Sequence, residues 1–339
     1  MYTAYFEKKV FNFKQPSGTS RGILTEKHAW FIYLQNNDYL KVGVGECSII
    51  PGLSPDFVDF ESYEKKINEV CQGINFYLEN LDELIQFPSI LFGIEQALLS
   101  IQSSDKELYF DTAFTLKEVG IPINGLIWMG SPDFMSQQIE EKLKEGFRCL
   151  KLKIGAIDFK EELNILKGIR NRFSSSEIEL RVDANGAFSV SDALFKLEQL
   201  AKLDLHSIEQ PIKQGQINQM ADLCKNTPLP IALDEELIGV VGMENKFNLL
   251  NEIQPQYIIL KPSLHGGISG TKEWIELANN LSIPWWMTSA LESNVGLNLI
   301  AQFASTYENQ LPQGLGTGSL YVENTTPHSI VMNGELYFI

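Results

Sequence analysis

Cys149-Leu150-Lys151-Leu152-Lys153-Ile154-Gly155 is a short apolar run with two lysines at alternate positions, and Ile178-Glu179-Leu180-Arg181-Val182-Asp183-Ala184-Asn185 is a second run that closes on an acid. Between them lies an amphipathic stretch. It opens on Asp158 with Glu161 three residues later, a capping-box-like helix start. The same strand-then-helix alternation continues in both directions. Strands are predicted at residues 123–127, 149–154, 178–182, 205–209, 230–233, 257–260 and 284–288, with a weak one at 313–315. Another helix starts at Ser131-Pro132 and stops at Gly146, which follows the cap preferences at both ends. Alternation at a spacing of roughly 25–30 residues implies parallel strands joined by crossover helices. Eight such strands fit a closed barrel better than an open sheet.

The first part of the chain reads differently. Residues 5–13 are aromatic and β-branched. Residues 29–34 and 39–44 flank the polar turn Asn36-Asn37-Asp38 and predict a hairpin. Residues 57–101 turn helical, and Pro88 opens a helix whose apolar stripe includes Ile90, Leu91, Ile94, Ala97 and Leu98. The tail, residues 320–339, has strand composition around Asn333-Gly334 and no helix after it, so it is expected to return to the first module. The fold class expected is α/β: a (β/α)7β TIM-like barrel over residues 119–319, with an α+β capping domain over residues 1–118 and 320–339.

A chain of 339 residues has room for about two domains, and 44% hydrophobic with 21% charged residues argues for a globular chain. Against 43 acidic residues stand 27 Lys and Arg, a net charge of −16. That charge repels phosphate backbones and anionic lipid heads, so neither a nucleic-acid nor a membrane partner is expected. It leaves room for a small carboxylate substrate, because a local cluster of lysines or a metal overrides the mean field. Cys47, Cys71, Cys149 and Cys224 are dispersed, with no C-x-x-C pair. They are expected to be reduced, buried thiols of a cytoplasmic protein. The N-terminus lacks the order of a signal peptide, and no apolar run approaches the ~18 residues that span a bilayer. Nothing in the sequence sets an oligomeric state.

In β/α barrels the working residues sit at the C-terminal ends of the strands. Those ends carry Lys151 and Lys153, then Asp183, Glu209, Asp234 and Lys261. A single acid at a strand end is commonly a helix cap. Three in register, bracketed by lysines, predict convergence on one site. Bare carboxylates that close repel by about 4 kcal/mol per pair at ~4 Å and an effective dielectric of ~20. A cation relieves that, and an all-oxygen ligand set favours Mg²⁺ or Mn²⁺ over Zn²⁺. Lys151 and Lys153 share one strand face. Their mutual repulsion, and a divalent cation nearby, are expected to lower a lysine pKa far enough for proton abstraction at neutral pH. Lys261 approaches from the far side as a second base, an acid or a fixed charge. Metal and lysine bases together point to removal of a proton next to a carboxylate, with the developing enediolate held by positive charge.

The strings Leu150-Lys151-Leu152-Lys153-Ile154-Gly155, Arg181-Val182-Asp183-Ala184-Asn185-Gly186, Ile208-Glu209-Gln210-Pro211, Leu233-Asp234-Glu235 and Leu260-Lys261-Pro262 resemble the enolase superfamily, in its muconate-lactonising subgroup. The resemblance covers most of the chain. It implies that Asp183, Glu209 and Asp234 bind Mg²⁺. It implies that Lys153 removes the α-proton of a hydroxylated cyclohexadiene carboxylate and returns it to the departing hydroxyl, a syn dehydration with an aromatic product. Lys261 would stabilise ring and enediolate, and Lys151 would touch the metal-bound carboxylate. Substrate contacts implied are Asn185, Ser289 and Gly314, with Arg181 acting through water at the mouth. Gly266 and Gly267 would let backbone N–H groups approach a second carboxylate. Residues 15–24 and 47–55 resemble lids, with Gly22, Ile23 and Leu53 as contacts.

Dipeptide epimerisation would call for acids near the eighth strand, where Gly314-Leu315-Gly316-Thr317-Gly318 has none. N-succinylamino acid racemisation needs only Lys153 and Lys261 flanking one carbon, so it remains the alternative. Muconate cycloisomerisation also stays open. A non-catalytic barrel that binds a metal and a dicarboxylate would be marked by loss of an acid or lysine, and all six are present.

Overall fold

A computed structural model of the chain describes residues 1–19, 22–36, 41–103 and 107–339. The order begins β1 (Tyr2–Thr19), β2 (Gly22–Asn36), β3 (Lys41–Ile49), α1 (Phe60–Gln72), α2 (Ile74–Glu79), α3 (Pro88–Gln102) and β4 (Ile121–Pro122). The barrel follows as β5 (Gly125–Ile127), α4 (Pro132–Lys144), β6 (Cys149–Lys153), α5 (Phe159–Arg170), β7 (Glu179–Asp183), α6 (Val190–Ala201), β8 (Ser207–Glu209) and α7 (Ile217–Asn226). It continues through β9 (Ile231–Leu233), α8 (Met243–Ile253), β10 (Tyr257–Leu260), α9 (Gly267–Asn280), β11 (Trp285–Met287) and α10 (Asn294–Ala304), and the chain ends in β12 (Ser329–Met332) and β13 (Glu335–Phe338).

β5 to β11 form one parallel sheet in chain order. Both faces of such strands are covered, so they read as near-continuous apolar runs, which is why the sequence marks them. The weak eighth strand is present only as parallel bridges, Thr288 to Gly314 and Ile123 to Gln313. Those bridges close the barrel. A Cβ on Gly314 would lie 2.2 Å from Thr288 Oγ1, so the closure needs glycine there. Ser131 caps α4 by accepting from Phe134 N, and Gly146 leaves it at φ +84°, as its position after the helix requires.

The capping sheet is the antiparallel trio β1-β2-β3. The expected hairpin joins β2 and β3 with Asn36 opposite Lys41; Asn37 and Asp38 of its turn lie outside the described residues. Residues 15–24 were expected as a lid loop. Instead the β1–β2 ribbon continues through Ser17 opposite Leu24, after a break in register between Asn12 and Ser17. Pro16, which has no N–H to donate, sits in that break. Ser20 and Arg21 lie outside the described residues.

The tail divides. Phe13 bridges to Tyr321, and Lys14 N donates to Leu320 O, as expected of a return to the first module. The hairpin β12–β13 touches both parts: it pairs with β4, and Ile123 N donates to Gly334 O at the start of the first barrel strand, while the Phe338 ring lies 5.7 Å from that of Phe114. The physical reason is the short apolar entry strand Ile121–Pro122, whose open edge the hairpin covers. All four cysteines are buried and free. Among the described residues no helix is long and apolar enough to cross a membrane.

α3 lies against β3 through glycines. A Cβ on Gly45 would sit 1.8 Å from Gly93 O, and one on Gly43 would sit 2.1 Å from Ala97 O. Gly45→Ala should therefore destabilise the capping domain by about 1–3 kcal/mol, the usual cost of overpacking. Urea unfolding of the variant checks this, and an unchanged midpoint would contradict the close approach.

Candidate active site

The register of three neighbouring strands builds the site. Lys153 pairs with Asp183 across β6–β7, and Asp183 with Glu209 across β7–β8. Asp234 follows β9 and Lys261 follows β10. All six side chains end at the same mouth, and the three acids are at most 3% exposed. Lys151 Nζ lies 3.0 Å from Asp183 Oδ2 and also pairs with Glu209 Oε2. Lys153 Nζ donates to Asp183 Oδ2 at 2.9 Å and to Asn185 Oδ1 at 2.8 Å. Lys261 Nζ pairs with Asp234 Oδ2.

At Lys151 and Lys261 the electrostatics run opposite to a lowered lysine pKa. Burial pulls the Lys151 ammonium down, but Asp183, Glu209 and Asp234 outweigh it and the pKa rises. Lys261 follows the same balance: burial lowers it, and Asp234 and Glu209 raise it further. The expectation assumed a divalent cation beside the lysines; facing the carboxylates directly, these ammonium groups are stabilised instead. Burial also works against ionisation of Asp183, yet Lys151 and Lys153 hold its carboxyl well below the ordinary range. Burial and then repulsion from Asp183 push Glu209 well up.

Among the described residues no three Asp, Glu, His or Cys side chains stand around one point as ready-made ligands. The ammonium groups stand among the acids. Two observations nonetheless fit a hard cation. Among the described residues Glu209 Oε1 and Asp234 Oδ1 are buried and meet no ammonium, amide or hydroxyl donor, and the ligand set is all carboxylate oxygen.

A cavity opens over this cluster. Its wall includes Lys151, Lys153, Asp183, Asn185 and Lys261. Ser289 and Gly314 line it, and so do Gly22, Ile23 and Leu53. Asn185 sits at φ +43° and donates through Nδ2 to Glu235 Oε1 at 3.0 Å, which fixes the carbonyl that meets Lys153. Ser289 Oγ lies 2.6 Å from Thr317 Oγ1.

Three expected contacts are placed elsewhere. Arg181 lies inside the barrel, one pleat below Asp183. Its Nε donates to Glu179 Oε1 at 2.7 Å, its Nη1 to Pro312 O at 2.9 Å, and its guanidinium lies 4.2 Å from the Trp286 ring centroid. It is 2% exposed and absent from the cavity wall. Gly266 and Gly267 are also outside that wall. They turn the chain into α9, and Glu95 of α3 accepts from Ile268 N at 2.5 Å and Ser269 N at 3.0 Å. A capping-domain carboxylate thus occupies the N–H groups expected for substrate. Sequence reasoning missed Asn124, Trp128, Thr288 and Leu291 in the wall. Trp128 and Thr288 directly follow β5 and β11, so the strand-end rule applied to uncharged residues finds both.

Residues 135–336 match the family described as "Enolase C-terminal domain-like". An o-succinylbenzoate synthase from Desulfotalea psychrophila is 46% identical over 356 residues, covering 96% of this chain and 95% of that protein. The crystal structure of MenC from Desulfotalea psychrophila LSv54 superposes with a TM-score of 0.83 at 41% identity, covering 99% of each chain. A dipeptide epimerase from Enterococcus faecalis V583, complexed with Mg and the dipeptide L-Leu-L-Tyr, shares the fold alone: TM-score 0.85 at 18% identity, over 99% of this chain and 96% of that one.

Lys151→Met leaves Asp183 and Glu209 without their shared ammonium. In EDTA at neutral pH the variant should lose about 3–5 kcal/mol, the usual cost of removing one partner of a buried ion pair. Denaturant titration checks it, and a loss below ~1 kcal/mol would show that the ion pairs contribute little.

Proposed function

The chain belongs to the enolase superfamily and is an enzyme of it, and on that premise we propose that it is an o-succinylbenzoate synthase. In this reading it dehydrates 2-succinyl-6-hydroxy-2,4-cyclohexadiene-1-carboxylate to 2-succinylbenzoate and water, a step of menaquinone biosynthesis in the cytoplasm. The observation that carries the reading is the 46% identity to an o-succinylbenzoate synthase over nearly the full length. The cavity supports it, because Lys153 and Lys261 both line one space.

Mg²⁺ or Mn²⁺, held by Asp183, Glu209 and Asp234, would supply positive charge where the substrate carboxylate becomes an enediolate. The chain's own groups do the rest. Lys153 takes the α-proton at Nζ, after Asp183 and Asn185 have oriented that amine. It then returns the proton to the hydroxyl on the same face, which leaves as water. Lys261 remains charged opposite and stabilises the ring face, a contact worth about 1–2 kcal/mol when desolvated. Trp128 stands behind Lys153, with Nζ 6.0 Å from its ring centroid. Leu126, Leu291, Ile50 and Leu53 give the ring an apolar wall and exclude water.

Racemisation of N-succinylamino acids is the second reading, because it uses the same pair of lysines. Among the described residues, the wall near Gly314, Gly316 and Thr317 holds no acid to receive a substrate ammonium, which weighs against dipeptide epimerisation.

With Mg²⁺, the purified protein should remove the diene absorbance of the cyclohexadiene acid, and EDTA should stop it. Lys153→Ala should lower turnover by at least about 10²–10⁴-fold, the usual range for a lost general base, while calorimetry still detects Mg²⁺ binding. Near-normal turnover would remove Lys153 from the role. N-succinylamino acids in D₂O should gain little α-deuterium; rapid gain would favour the racemase.

A further inference from the structure

One buried group of charges takes no part in the chemistry above. Lys27 on β2, Glu46 on β3 and Glu292 beyond β11 are 3%, 0% and 0% exposed. Lys27 Nζ donates to the main-chain O of Ala290 at 2.7 Å, a link across 263 positions of sequence. Ala290 N donates to Glu292 Oε2 at 2.7 Å, and Ser263 Oγ donates to Glu292 Oε1 at 2.5 Å. Ser263 stands two residues beyond Lys261. Glu46 accepts from Ser293 N, Ser293 Oγ and Gly296 N at 2.9, 2.6 and 2.8 Å, which fixes the start of α10.

Burial makes this an expensive place for an ammonium: it pulls Lys27 down to about 8 against the opposite pull of Glu292 and Glu46. Apolar packing of similar volume commonly serves stability as well or better. The location gives the lysine another use. The strand that carries Lys27 also supplies Gly22, Ile23 and Leu24 to the cavity wall, and the loop it bonds supplies Ala290 and Leu291 to the same wall. The other end of the chain of bonds reaches the backbone that presents Lys261.

We propose that Lys27 is a positioning residue: its ammonium pins the lid ribbon to the loop after β11, and the Glu292–Ser263 bridge passes that constraint to Lys261. The inference rests on the synthase reading for its kinetic readout. Its structural readout, amide exchange, needs no substrate.

Lys27→Met should raise KM for the cyclohexadiene acid about tenfold, the size expected for one lost charge-assisted hydrogen bond, and lower kcat several-fold because the Glu292–Ser263 bridge no longer holds Lys261 in place. In the substrate-free protein, amide hydrogen exchange should quicken in residues 22–24 and 289–292. Unchanged KM and unchanged exchange overturn the proposal, as does a lower Tm with wild-type KM. Ser263→Ala leaves Lys27 in place and decides the matter if Lys27→Met does not fold. It should lower kcat several-fold at unchanged KM, and wild-type kcat overturns the proposal. If the wild-type protein does not turn over the diene acid, the synthase reading fails, and exchange alone decides the role of Lys27.

Discussion

Charge balance at the barrel mouth governs this protein. Three carboxyl groups and three ammonium groups, all at most 9% exposed or carried at a strand end facing the same cavity, must satisfy one another where water cannot. Neither set is stable there alone. Each lysine therefore meets an acid: Lys151 meets Asp183 and Glu209, Lys153 meets Asp183, and Lys261 meets Asp234. A hard cation among the same oxygens would compete with Lys151 and Lys261 for them, and its charge would favour loss of the proton from the Lys153 ammonium. The catalytic reading depends on that exchange.

The rest of the fold holds the geometry within which the exchange takes place. Parallel register puts Lys153, Asp183 and Glu209 side by side. Closure through Thr288 and Gly314 keeps the sheet curled, so Lys261 reaches the same space as Lys153. The capping domain covers the mouth. Its β1–β2 ribbon and the residues after β3 bring apolar side chains to an otherwise charged site. Its Glu46 and Glu95 fix the starts of α10 and α9, so the lid side and the barrel side are bonded to each other as well as packed.

Much of this was legible in the sequence, for identifiable reasons. Strands buried on both faces leave apolar runs, and strand ends that carry chemistry leave a charged residue just after the run. That places Lys151, Lys153, Asp183, Glu209, Asp234 and Lys261 without coordinates. Signals that depend on partners far along the chain were not legible. The eighth strand is two bridges, too short for a pattern. The ribbon through Ser17 and Leu24 carries Pro and Gly and reads as loop, because only pairing across the break in register keeps it a strand. Arg181 sits two residues before Asp183, and alternation alone puts both on the inner face. Depth within the barrel, which separates an ion pair with Glu179 from a substrate contact, is not encoded locally. Gly266 and Gly267 resemble an anion-binding turn, and Glu95, from α3, supplies the anion. The division of labour between residues 1–118 with 320–339 and residues 119–319 was the coarsest reading: the tail serves both parts.

Diffraction from crystals soaked in Mn²⁺, with anomalous differences collected at the manganese edge, tests the central exchange most directly. The account predicts one strong peak bounded by the carboxylates of Asp183, Glu209 and Asp234, with the amines of Lys151 and Lys261 withdrawn from those oxygens. No peak there, or lysines still seated on the acids beside a metal bound elsewhere, would contradict it.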